Sequence, residues 1–202
     1  MEQTRLQKQM DFIVEMDKTK QIIRQTYLSD GSRKENDAEH AWHLALMTYL
    51  LREYAEKEID ITKTMLMVLI HDLVEIDAGD TYAYDEKGNL DKEEREKKAA
   101  ARIFPILPID QAQELQKLWE EFEENQTPEA KFAHTMDNLQ PLLLNDASGG
   151  KSWQEHQVEL TQVLKRNEHT KEGSQVLWDY ARECIDKNVE RGNIRLVNIP
   201  KE

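Results

Sequence analysis

His71-Asp72 carries the strongest chemical signal in this chain, because it closes an entirely apolar run at residues 65–70. An ionisable dipeptide buried at the end of such a helix costs several kcal/mol unless its charges are paired or hold a metal. A neutral imidazole and a carboxylate about 100° apart on a helix can converge on one cation lying between them. Glu75, at i+4 from His71 and i+3 from Asp72, points into the same region. The plainer alternative is a histidine and two acids fraying into solvent, and the dipeptide alone does not choose between the two. Two further residues shift the balance. His40 lies upstream at the start of a stripe that continues through Leu44, Met47, Leu51 and Tyr54, and Asp137 sits at a disturbed point of a late helix, where Pro141 removes the bond to its carbonyl. Together they complete a His, His-Asp, Asp set. His43, at i+3 from His40, could line a pocket or orient a ligand.

Helices must position these groups. Leu6, Met10, Ile13 and Val14 recur with helical spacing and predict a first amphipathic helix. Ile22, Ile23 and Tyr27 predict a second, ending near Asp30-Gly31. Asn36, followed three residues later by Glu39, reads as a capping box opening a helix to about residue 54 or 57. Thr62 is the expected cap of the next helix, whose residues 65–70 are apolar on every side and predict a buried central element running straight into His71-Asp72-Leu73-Val74-Glu75. Asp77-Ala78-Gly79-Asp80 should end it, and a polar loop follows to Gly88-Asn89.

Beyond Asp91, Glu93/Lys97 and Glu94/Lys98 form the solvated face of a helix whose other face is Ala99, Ala100 and Ile103. Residues 110–124 form another. Thr127-Pro128 opens a helix through Phe132, Met136, Leu139 and Leu143, with a kink or break expected at Asp137. Two more are expected at residues 152–166 and 174–191, with Gly192 as stop. No segment alternates convincingly with period two, so the expected fold is an all-α compact bundle without a substantial sheet. Gly149-Gly150-Lys151-Ser152 is not a phosphate loop, since its first glycine would fall on Asn145 and no strand precedes it. His134 is expected to be structural, His156 and His169 to lie at the surface, and Asp77 to cap or neighbour the loop.

The composition bounds the function. With 27 Lys and Arg against 40 Asp and Glu, the net charge is −13, which argues against a nucleic acid polymer or an anionic membrane as partner. A phosphate-bearing ligand would need a local cationic pocket. The only cysteine, Cys184, reads as a packing residue, and neither a signal core nor a membrane-length apolar run is present, so a cytoplasmic location is expected. The expected organisation is one domain over residues 1–202, with a metal-site core at about 20–145 and C-terminal helices at about 152–192 packed on it.

The order His40, His71-Asp72, Asp137 resembles the HD-domain metal-dependent phosphohydrolases, whose pattern is H…HD…D on a helical bundle. More narrowly, Arg33-Lys34-Glu35-Asn36-Asp37-Ala38-Glu39-His40, with His71-Asp72-Leu73-Val74-Glu75 and Gly79-Asp80, resembles the small subfamily that contains bacterial 5′-deoxynucleotidases. The resemblance implies that His40, His71, Asp72 and Asp137 hold a divalent ion (Mn, Co, Ni, Fe, Mg or Zn). It implies that Glu75 acts beside the attacking water, that Asp80 lies by the sugar and that Arg24 or Arg33 holds phosphate. Where the deoxynucleotidases carry an Arg-Trp pair, this chain has Arg24-Gln25-Thr26-Tyr27. The implied substrate is a small phosphate ester, a (deoxy)nucleoside 5′-monophosphate, and the implied assembly is a homodimer. An HD-type phosphodiesterase or pyrophosphohydrolase, a di-iron oxygenase and a non-catalytic nucleotide-binding module are the alternatives.

Overall fold

The computed structural model describes residues 3–85 and 87–196. Thr4 caps helix α1 (Arg5–Met16) by accepting from the Gln7 amide. The helix is where periodicity places it, but its orientation is reversed. Leu6, Met10, Ile13 and Val14 are at least half exposed, and α1 packs instead through Phe12 and Met16.

The expected second helix is a strand. Residues Ile23–Tyr27 form β1, paired antiparallel with β2 (Lys34–Asn36). The intervening turn places Gly31 at φ 68°, with the Ser32 amide donating to Asp30 Oδ1 at 2.9 Å. The β-branched residues Ile22, Ile23 and Thr26 beside Tyr27 suit an extended chain, and so short an apolar run carries no decisive period.

Asn36 and Glu39 form the expected capping box at the start of α2 (Asp37–Leu51). The next helix, α3 (Ile61–Ile70), is capped by Asp60 rather than Thr62, through the Lys63 amide. It buries Thr64, Met67, Val68 and Ile70 while Leu66 and Leu69 remain partly exposed, so it is not wrapped on all sides. Nor does it run straight on. After Ile70 the chain tightens into i→i+3 bonds, with Leu73 donating to Ile70 and Glu75 to Asp72, before the short α4 (Glu75–Ala78). Gly79, at φ 76°, ends α4.

The charged helix α5 (Lys92–Ile103) carries both expected i,i+4 pairs and buries Ala99, Ala100 and Ile103. It is followed by α6 (Ile109–Glu124) and by α7 (Pro128–Ala147), capped by Thr127. Helix α7 does not break at Asp137 but continues through Pro141, and the Pro141 carbonyl accepts from Asn145 Nδ2 at 2.9 Å. Its buried Phe132, Met136 and Leu139 form the centre of the core with Met67, Ile103 and Phe104.

The segment expected to be one helix at residues 152–166 is two, α8 (Lys151–Glu155) and α9 (Leu160–Arg166). Gln157 takes φ 51° between them, and Glu159 opens a fresh capping box with Gln162. After α10 (Thr170–Gly173), Ser174 caps α11 (Gln175–Glu190), on which Cys184 is buried. No described helix is long and apolar enough to cross a membrane.

Helix α10 lies directly on α7, and Gly173 makes that approach possible. A Cβ at Gly173 would stand 2.3 Å from the Lys131 carbonyl oxygen and 2.3 Å from Thr135 Oγ1. Gly173→Ala is therefore expected to lower stability by about 1–3 kcal/mol, which at ~2–4 °C per kcal/mol for a chain of this size is measurable as a reduced Tm.

Candidate metal centre and substrate cavity

Three elements converge on one point. The α2 capping box sets the helical register that turns His40 inward, the turn after α3 presents His71 and Asp72, and the middle of α7 supplies Asp137. His40 Nε2 lies 3.1 Å from Asp137 Oδ1 and 3.9 Å from Asp72 Oδ2. His71 Nε2 lies 3.0 Å from Asp72 Oδ2 and 3.6 Å from Asp137 Oδ1. His40, His71 and Asp72 each offer one atom within 4.8 Å of the others.

The donor chemistry fits a divalent ion. His40 Nδ1 donates to Gln140 Oε1 at 3.0 Å, and Gln140 is itself oriented by donating from Nε2 to Glu35 Oε2 at 2.9 Å. His71 Nδ1 donates to the Val68 carbonyl at 2.9 Å. Both rings thus turn Nε2 toward the carboxylates, and among the described residues the buried Nε2 of His71 has no hydrogen-bond partner of good geometry. Two imidazoles and two carboxylates facing one point would suit a five- or six-coordinate ion with room for water and substrate.

The electrostatics reflect five carboxylates crowded together. Burial works against charge on His71, but Asp72 and Asp137 outweigh it and raise the imidazole to about 10. Asp72 and Asp137 stay ionised despite burial, held below the ordinary range by His71 and by Arg166 respectively, with further help from neighbouring cations. Burial and the Asp72 charge push the Glu75 carboxyl well above its ordinary value, and the same causes raise Asp37 to about 7. Burial also raises Asp80.

Arg24, on β1, reaches into this cluster. Its Nη1 donates to Asp72 Oδ2 at 2.6 Å and to Asp37 Oδ1 at 3.1 Å, and lies 3.9 Å from Glu75 Oε2. Arg33 does not. It is half exposed and holds Glu39 on the outer face, away from the cavity. His43 is also absent from the cavity wall; its Nδ1 lies 3.3 Å from Gln140 Nε2, so it bears on the site through the glutamine that orients His40.

A cavity of about 600 Å³ opens beside the cluster, within the range of small-molecule sites. Arg24, Asp72, Glu75, Asp80 and Asp137 line one part of it, while Tyr82, Tyr84, Trp153 and Leu142 contribute aromatic and apolar wall elsewhere. The polar loop after α4 supplies Asp80 to Tyr84, and Arg95 of α5 holds that loop by donating to Thr81 Oγ1 at 2.9 Å, the Gly88 carbonyl at 3.0 Å and the Ala78 carbonyl. Asp77 faces outward and pairs with Arg102. His134 donates to the Phe122 carbonyl and stacks on its ring, while His156 and His169 are exposed.

Several residues of the site escape a reading of the sequence. Gln140 carries a usable signal, standing one helical turn after Asp137. Glu35 and Asp37 flank the Asn36 cap and look like ordinary helix-start residues, yet both are almost fully buried. Lys92 and Arg166 also line the cavity, brought there by contacts distant in sequence.

Comparisons with known proteins give the chain a family. The sequence profile of the HD domain family matches residues 16–178. The chain is similar to a crystal structure described as "Predicted metal-dependent phosphohydrolase from Magnetospirillum magnetotacticum MS-1", with 52% identity, a TM-score of 0.90, and coverage of 94% of this chain and 95% of that one. A conserved hypothetical protein from Pyrococcus furiosus is 26% identical with a TM-score of 0.61, covering 90% of this chain and 99% of that one. Human "5′-deoxynucleotidase HDDC2" is 30% identical over 111 residues, 55% of this chain and 53% of that protein. Schizosaccharomyces pombe "5′-deoxynucleotidase hdd1" is 26% identical over 132 residues, 63% of this chain and 65% of its own length. The chain spans about half the length of the vertebrate relatives it matches. With the family profile matching well over half of the chain and its H…HD…D residues meeting at one point, this protein belongs to the HD domain family.

Proposed function

We propose that this protein is a metal-dependent phosphomonoesterase that hydrolyses nucleoside 5′-monophosphates, the deoxy forms foremost, to nucleoside and phosphate. The observation that carries this reading is the convergence of His40, His71, Asp72 and Asp137 beside a cavity of nucleotide size. The names of the human and yeast relatives support the substrate class.

In this reading His40, His71, Asp72 and Asp137 hold the ion. A divalent ion so placed supplies Lewis acidity, lowering the pKa of a water and polarising a phosphoryl oxygen. Glu75 takes the proton of the attacking water as its oxygen bonds to phosphorus, and returns a proton to the nucleoside 5′ oxygen as the P–O bond breaks. Arg24 neutralises charge on the phosphoryl oxygens, and Asp80 faces the sugar.

Asp37, Asp72 and Glu75 place oxygens within 4.8 Å of one another, which is where a two-ion phosphodiesterase or oxygenase reading would set a second metal. Arg24 already supplies positive charge there, 2.6 Å from Asp72 and 3.1 Å from Asp37, and this favours a single ion.

Phosphate release should be measured on metal-stripped protein given Mn, Co, Ni, Fe, Mg or Zn, with a panel of 5′- and 3′-monophosphates, di- and triphosphates and cyclic dinucleotides. The expected result is turnover of 5′-monophosphates with 3′-monophosphates spared. Preferred cleavage of a diester or diphosphate would replace this reading with the phosphodiesterase one, and binding without turnover would favour the non-catalytic module.

We also propose that a second copy of the chain covers the outer face of α2 and α3. Trp42, Leu46, Tyr49 and Leu50 recur along α2 on its exposed side, and Leu66 and Leu69 extend the patch onto the adjacent α3. Sedimentation should give twice the 23.8 kDa chain mass, and Leu46→Asp should shift it to a single chain. A monomeric wild-type protein would rule the dimer out.

A further inference from the structure

Arg166 is the last residue of α9, outside the segment that contains the His, His-Asp, Asp set. Its Nη2 donates to Asp137 Oδ2 at 2.7 Å. The other oxygen of that carboxylate, Oδ1, stands 3.1 Å from His40 Nε2 and 3.6 Å from His71 Nε2. The two oxygens are thus divided, one turned to the imidazoles and the other taken by the guanidinium.

The arrangement is held from behind. Glu159 and Gln162 cap α9 reciprocally, the Leu160 amide donates to the Arg195 carbonyl at 2.9 Å, and Asn167 Nδ2 closes the far end on the Val163 carbonyl at 2.9 Å. Among the described residues Asp137 is the only acid paired with Arg166, whose side chain is 37% exposed at the cavity. A carboxylate on a helix can rotate about its last bond, and a fixed donor on one oxygen removes that freedom.

We propose that Arg166 is a positioning residue for the metal centre: it locks the Asp137 carboxylate with Oδ1 facing His40 and His71, so that uptake of the divalent ion depends on the C-terminal segment. This rests on the reading that those residues hold an ion, and it does not depend on which phosphate ester is cleaved. A lysine would keep the charge but not the planar fork, so it should serve only in part.

The test is calorimetric titration of metal-stripped protein with Mn²⁺ alone, without substrate, for wild type, Arg166→Ala and Arg166→Lys, with thermal melts to establish that each variant is folded. Arg166→Ala should weaken Mn²⁺ binding by about 10–100-fold, with Arg166→Lys between it and wild type. At saturating Mn²⁺ the Ala variant should regain most of the wild-type kcat. Wild-type Mn²⁺ affinity in folded Arg166→Ala, with or without a raised KM, would overturn the proposal, because the arginine would then serve the substrate or nothing. Wild type that takes up no Mn²⁺ would overturn it together with the metal-centre reading. If wild type binds Mn²⁺ and the Ala variant binds it weakly while no nucleotide is hydrolysed, the proposal stands and the phosphomonoesterase reading falls.

Discussion

Asp72→Asn is expected to reduce phosphate release by roughly 10³-fold or more, since a bound ion contributes several kcal/mol of transition-state stabilisation and each 1.36 kcal/mol is tenfold in rate. Asp72 is the hub of the cluster. Its Oδ2 is 3.0 Å from His71 Nε2, 3.9 Å from His40 Nε2 and 2.6 Å from Arg24 Nη1. Asparagine keeps the shape and removes the charge, so an ion would face two imidazoles and one carboxylate. Arg24 would lose its shortest partner and remain buried among the other acids, leaving it free to swing onto them. The variant should therefore lose metal as well as rate. Metal content by elemental analysis and kcat/KM in excess Mn²⁺ check both parts, and a variant with full metal content and full rate would contradict the assignment.

Glu75→Gln should separate proton transfer from metal binding. Glu75 is almost fully buried, it is not one of the four converging residues, and its carboxyl is held well above the ordinary range by burial and by the Asp72 charge. A carboxyl tuned in that direction holds a transferred proton better than an ordinary glutamate does. Glutamine preserves its volume and can still hydrogen-bond, but it cannot accept and return a proton. The expected result is a kcat lowered by about 10²–10⁴-fold, with metal content retained and KM little altered. The limb of the pH–rate profile that depends on Glu75 should disappear with it. A variant that loses metal in step with activity would make Glu75 a ligand, and one with unchanged kcat would remove it from the reaction.

The parts of the site legible in the sequence are those fixed by local rules. The Asn36–Glu39 box needs only four adjacent residues, and it sets the register that turns His40 inward. Buried charge has few tolerable explanations, so His71-Asp72 after an apolar run marks a candidate site, and His40 and Asp137 turn it toward a metal. What stays hidden depends on contacts between distant segments. Arg24 and Arg33 are nine residues apart and equally basic, yet the hairpin turns one onto Asp72 and the other onto Glu39. The hairpin itself reads as helix because residues 22–27 are too few to show a period. The direction of α1 is equally illegible, because an amphipathic stripe does not reveal whether the core or another surface will cover it, and Leu6, Met10, Ile13 and Val14 face outward. Arg166 and Lys92 carry no local signal at all.

The most direct test of the account is a stoichiometric titration of metal-stripped protein with Mn²⁺ while phosphate release from a deoxynucleoside 5′-monophosphate is followed. The account predicts no release without metal, a rise in step with occupancy, saturation at one ion per chain, and loss of both uptake and release in His71→Ala. Phosphate release by metal-free protein, or uptake and release undiminished in His71→Ala, would contradict it.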